Sequence, residues 1–146
     1  MLLRLRHPDL LSRADVRLLL EDGFAQIDGL PSPEDILADL PRLVPREDLL
    51  LLLARDEELW RGFALATAPS TRLTTAVSVY AFFAKDSGAR KDLAEGLVAW
   101  ARQRGVATID TMNTNVGRDR AFQRLFRSTA KSEPVGTVFR FHLEDT

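Results

Sequence analysis

The chain has 146 residues, a net charge of −1 and a pI of about 6.1, and it contains no cysteine. The length fits one domain, read here as residues 1–146, with a core that needs no staples. The missing cysteines exclude disulfides, thiolate metal sites and a cysteine nucleophile, and near-neutral charge gives no global field toward nucleic acid or a membrane.

The start, Met1 to Asp9, is too short and too quickly charged for a signal peptide, so a cytoplasmic protein is expected. Leucine and arginine alternate over Leu2 to Arg6, as in a half-exposed edge strand. A helix is expected from about Arg13, with Ser12 as N-cap and Val16, Leu19, Leu20 and Phe24 on its apolar stripe. Ser32, Pro33, Glu34 and Asp35 announce a second helix: a cap, a first-turn proline, and acids near the positive end of the dipole. Ile36, Leu37 and Leu40 face inward, and Pro41 limits its length.

Five leucines, Leu49 to Leu53, argue helix by propensity. Their bounds, Pro45 and the run Arg55 to Glu58, argue a short buried strand and a turn instead. The next segment, Leu59 to Ala68, supports the strand. Leu59, Arg61, Phe63 and Leu65 would share one face, and Trp60, Ala64, Ala66 and Ala68 the other, with Gly62 marking a bulge. The two strands form a hairpin around a solvated acidic turn.

Thr74 to Gly105 organises the chain. It opens as a strand with Val77, Val79, Ala81 and Phe83 on one face and Ser78, Tyr80 and Phe82 on the other. It breaks at Lys85-Asp86-Ser87-Gly88. Leu93, Leu97, Val98 and Ala101 then recur at helical spacing, and Gly105 closes the helix as a C′ glycine. Cations around the helix start (Lys85, Arg90, Lys91) and its free N–H groups make an anion site. An ordinary strand-to-helix turn accounts for the same residues. Val106 to Met112 reads as a strand parallel to the one before the helix. Asn113 to Gly117 reads as a loop, Arg118 to Arg127 as a helix, and Val135 to Leu143 as a final strand. The order β-α-α-β-β-β-α-β-α-β implies an α/β (α+β) mixed sheet with helices on both faces.

This order, with a basic glycine loop after the fourth strand, resembles the GNAT superfamily of acyl-CoA-dependent N-acyltransferases. The family's loop reads Gln or Arg, two residues, Gly, one residue, Gly or Ala. Here it stands as Lys85-Asp86-Ser87-Gly88-Ala89-Arg90, followed by a helix that closes in A-R-x-x-G. The resemblance implies acetyl-CoA as co-substrate. The loop from Gly88 through Ala89 and Arg90 to Lys91, with Lys85, would face its pyrophosphate. The backbone at Val79, Tyr80 and Ala81 would pair with the pantetheine arm and polarise the thioester carbonyl. Asn113 would meet the cofactor or a neighbouring loop. An amine attacking the thioester needs a proton acceptor, and the leaving thiolate a donor. The family's tyrosine after the fifth strand is missing; Leu125 and Phe126 stand near its place. Tyr80, the only tyrosine, is the candidate acid and Asp110 the candidate base. A packed aromatic at the sheet edge accounts for Tyr80 more readily, and a structural hydrogen bond or an exposed strand face for Asp110.

The acceptor would be a small-molecule or protein amine, met by about Asp22 to Pro45. The alternative is a catalytically degenerate GNAT-fold structural or binding protein, of a kind also found in tailed phages. Nucleic-acid binding rests on Arg118, Arg120, Arg124 and Arg127 with Phe122 and Phe126, and the near-neutral charge speaks against it. No metal site is expected, with His7 and His142 far apart, nor a membrane partner. A homo-oligomer or an assembly partner is left open.

Overall fold

A computed structural model describes residues 1–27, 29–68, 76–106 and 108–111. The helix at 118–127, the last strand, Asn113 and His142 lie outside the described residues.

Among the described residues, five strands form one mixed sheet, in the order β1-β2-β3-β4-β5. They are β1 (Leu2–Arg4), β2 (Leu49–Asp56), β3 (Leu59–Thr67), β4 (Ala76–Ala84) and β5 (Thr108–Thr111). β1 to β4 are antiparallel neighbours, and β4–β5 is the parallel pair. Helices α1 (Ala14–Ala25) and α2 (Pro33–Leu43) cover one face. Helix α3 (Ser87–Gln103) covers the other. The expected element order therefore holds as far as β5.

The leucine run is a strand, as its bounds predict. Leu49, Leu51 and Leu53 pack under α1 and α2, while Leu50 and Leu52 pack under α3. All five are buried. A strand covered on both faces needs apolar residues at every position, and that outweighs leucine's helical propensity. β1 lies at the sheet edge, as expected.

Two extra residues break the simple alternation. In the β2–β3 ladder Ala54 faces Gly62 and Arg55 faces Trp60, so Arg61 has no place in the register. The bulge is thus at Arg61, one residue before the expected Gly62. It moves Trp60 to the α1 side with Phe63 and Leu65, away from Ala64 and Ala66. Gly62 answers a different need: an added Cβ would lie 2.5 Å from the Phe83 carbonyl oxygen. In the β3–β4 ladder Leu65 faces Ala81 and Ala66 faces Val79, so Tyr80 is skipped. Val77 and Val79 therefore pack beneath α3, whereas Ala81 and Phe83 pack beneath α1. The single face expected for these four residues is corrected: one inserted residue reverses a period-two pattern.

The helix ends correct two expectations, Ser12 as the cap of α1 and Pro41 as the limit of α2, and support two. Ser12 ends a 3-10 turn (Pro8–Ser12) and its hydroxyl donates to the Asp9 carbonyl. It does not cap α1, whose N-cap is Arg13 with no side-chain bond. Asp15 instead turns toward β3, and the Trp60 indole donates to it at 2.9 Å. That bond, ahead of the Arg13 guanidinium, holds the Asp15 carboxyl below its usual range. Ser32 does cap α2, accepting from the Asp35 N–H. α2 runs on past Pro41 to Leu43. At the end of α3, Gly105 has φ +69°. Its N–H reaches Arg102, and the Val106 N–H reaches Ala101, which completes a Schellman closure.

α1 approaches the sheet most closely at Gly23. A Cβ there would lie 2.3 Å from Phe63 Cε1 and 2.9 Å from Phe83 Cδ1. Phe63 is itself hemmed in, by Phe24 edge-on at 4.9 Å and by Phe83 tilted at 5.9 Å. Gly23→Ala should therefore lower stability by about 1–3 kcal/mol, despite alanine's better helix propensity, read as a drop in the urea midpoint with unchanged slope.

Candidate functional site

β4 and α3 are joined by only two residues, so the bulge and the helix start belong to one continuous feature. β4 leaves the β3 register at Tyr80 and regains it at Ala81. On its other side it pairs with β5 from Ala76–Thr108 to Val79–Thr111. The described parallel pairing thus ends level with the bulge. Tyr80 is 38% exposed there. Partial burial pushes its hydroxyl above the ordinary range. Val79 and Ala81 flank it, both buried and in opposite cores.

Asp110 lies on β5 opposite Ser78, two residues before Tyr80 along β4, and it is exposed. The fold therefore brings Val79, Tyr80, Ala81 and Asp110 to one stretch of neighbouring strands.

The helix start departs from the sequence reading. Gly88 is not in a loop: α3 begins at Ser87, and Gly88 stands in its first turn. Asp86 is the N-cap. Its Oδ1 accepts from the Ala89 N–H at 2.8 Å, and its Oδ2 accepts from Arg61 Nε at 2.8 Å. The first-turn N–H groups thus already meet a carboxylate. The Ala89 N–H first, and Arg61 second, hold that carboxyl below its usual range. Gly88 is exposed, Ala89 buried, Arg90 half-buried and Lys91 exposed. Lys85 goes elsewhere. Its backbone N–H donates to the Arg61 carbonyl. It lines a shallow hollow of about 670 Å³ with Asp15, Leu18, Asp22, Glu58 and Trp60, between α1 and the hairpin. Lys85 thus lies at the hollow beside the hairpin, in the two-residue link between β4 and α3.

Asp86 and Arg61 are the site residues that the sequence reading missed. Asp86 carried a usable signal: an aspartate three residues before a first-turn N–H is a standard N-cap. Arg61 carried none, because its contact with Asp86 crosses from one strand to the next element but one. Among the described residues, no group of His, Asp or Glu side chains could hold a metal ion. No described helix is long and apolar enough to cross a membrane.

No protein-family model matches the sequence, and no curated protein matches it. Solved structures do. The aminoglycoside N-acetyltransferase AAC(6')-Iy, in complex with the bisubstrate analogue CoA-S-monomethyl-acetylneamine, superposes with TM-score 0.72 at 16% identity, over 98% of this chain and 97% of that one. An aminoglycoside acetyltransferase from an uncultured soil metagenomic sample, meta-AAC0020, gives 0.70 at 14% identity, over 99% and 96%. The ribosomal-protein-alanine N-acetyltransferase of Brucella melitensis biovar Abortus 2308 gives 0.67 at 19% identity, over 97% and 99%. This chain has the GNAT fold.

The cap generates a prediction about stability. A carboxylate with a depressed pKa in the fold stabilises it above the unfolded value, about 3.9, and stops doing so as pH falls below. Asp86→Ala should lower Tm by roughly a few degrees at pH 7, and Asp86→Asn by less, since Asn also caps. The gap between native chain and Asp86→Ala should narrow as pH is taken from about 5 to 2. Thermal melts by circular dichroism test both statements.

Proposed function

We propose that this chain transfers an acyl group from an acyl-CoA, acetyl-CoA foremost, to an amine. The observation that carries the reading is the β4 bulge at Tyr80, set one short step before α3 in a GNAT-fold sheet. Extended backbone released from one neighbour's register is what a pantetheine arm and a thioester carbonyl would pair with. Gly88 fits the other end. An added Cβ there would meet only Asp86 Oδ1, at 3.4 Å, so the first turn of α3 is open on that side. Val79, Tyr80 and Ala81 would hold the acyl end, and Gly88, Ala89, Arg90 and Lys91 the diphosphate end. Lys85 would contribute charge at longer range only.

When bound, acetyl-CoA would supply an activated thioester. The chain's own part would be to orient it and move protons. A backbone N–H at the bulge would stabilise developing negative charge on the carbonyl oxygen. The Tyr80 hydroxyl, a neutral O–H on the residue skipped by the β3 register, would donate a proton to the departing thiolate. Asp110, exposed on the adjacent strand, suits an acceptor for the proton of the attacking amine. The acceptor would be an amine on a small molecule or a protein. Two of the neighbours described above are aminoglycoside acetyltransferases, which supports the small-molecule class. The reading without catalysis is not favoured by these neighbours, and nothing among them supports a phage association.

Acetyl-CoA titration by calorimetry tests the reading. The native chain should bind at micromolar Kd, and Gly88→Glu, which adds a second carboxylate beside Asp86, should weaken binding by about tenfold or more. Tyr80→Phe should leave that Kd within about twofold while lowering kcat by roughly 10²-fold in an amine screen. A folded native chain that ignores acetyl-CoA would sink the proposal.

A further inference from the structure

We infer that Asp86 is an internal competitor for the diphosphate of CoA, so that one carboxylate sets how tightly the chain takes its acyl donor. The inference rests on the acyl-CoA reading above. It concerns a residue that neither the loop pattern nor the bulge explains.

The geometry is specific. A diphosphate at the start of α3 needs two things: free first-turn N–H groups and a nearby cation. Both are engaged. Asp86 Oδ1 holds the Ala89 N–H at 2.8 Å. Asp86 Oδ2 holds Arg61 Nε at 2.8 Å. Arg61 reaches it because it is the residue squeezed out of the β2–β3 register. Its own carbonyl accepts from the Lys85 N–H, which fixes the bulge against the residue preceding Asp86. The carboxylate therefore does for α3 what a phosphate oxygen would do, with the same two kinds of partner.

A like charge must be displaced or tolerated before a diphosphate can settle there. Partial exposure allows displacement: the side chains of Arg61 and Asp86 are 33% and 39% exposed, so the pair is hydrated rather than locked in a core. Release of Asp86 would free Arg61 beside the first turn. The Asp86–Arg61 pair is thus a latch that opens toward the anion, and binding carries the cost of opening it.

The test removes the charge and keeps the cap. Asn and Ser cap helices as well as Asp does. CoA and pantetheine, which lacks the diphosphate, are titrated by calorimetry into the native chain, Asp86→Asn and Asp86→Ser. Both variants should bind CoA about tenfold tighter or more, with pantetheine affinity moving less than about twofold. The CoA gain should shrink at high salt, as like-charge repulsion is screened. Unchanged or weaker CoA binding by folded variants, with the native chain binding, would overturn the latch and leave the acyl-CoA reading standing. An equal gain for pantetheine would overturn it too, because the effect would not belong to the diphosphate. Failure of every folded form to bind CoA would remove the acyl-CoA reading and the latch with it.

Discussion

A sheet covered on both faces must hide both sides of its inner strands, and β2 from Leu49 to Ala54 and β3 from Gly62 to Ala66 do so. β2 spends no polar residue until Arg55, and its leucines divide between the two cores by simple alternation. Everything else is arranged around that double burial. α1 and α2 bring Leu19, Leu20, Phe24, Ile36 and Leu40 to one face, and α3 brings Leu93, Leu97 and Ala101 to the other. A surface strand would tolerate a slipped register; a strand buried on both sides does not, since a slip exchanges the contents of two cores.

The two bulges are placed where that rigidity is relieved. Each inserts one residue, at Arg61 and at Tyr80, and each residue leaves the ladder for another task. Arg61 reaches across to the cap of α3. Tyr80 keeps more than a third of its surface exposed in the middle of a sheet whose other β4 residues are mostly covered. The inserted residues also let small and large side chains match across the ladders. Ala81 meets Leu65 beneath α1, and Val79 meets Ala66 beneath α3. Strand irregularity thus connects packing with chemistry: the residues freed from pairing are the ones that bound the candidate site.

The charge pattern at that site is self-contained. Asp86 and Arg61 neutralise one another at the head of α3, and Asp15 joins α1 to β3 through the Trp60 indole. Both carboxylates are held ionised by hydrogen bonds first and by arginine second. Neither is a free surface acid.

Sequence by itself determined the element order through β5, the strand nature of the leucine run, the cap of α2 and the Gly105 closure of α3. These are local matters: periodicity, capping and a positive φ depend on neighbours in the chain. It also put Val79, Tyr80, Ala81 and Gly88 in one strand-to-helix stretch, because strand and helix are contiguous in the chain. Only the tertiary structure decided that Val79 and Ala81 serve different cores, that Trp60 sits under α1, that Lys85 lies against the hairpin, and that Asp86 closes the head of α3 with Arg61. The reason is register. An alternating sequence does not say where a strand takes in an extra residue; the neighbouring strand does, by which side chains it can accept on each face.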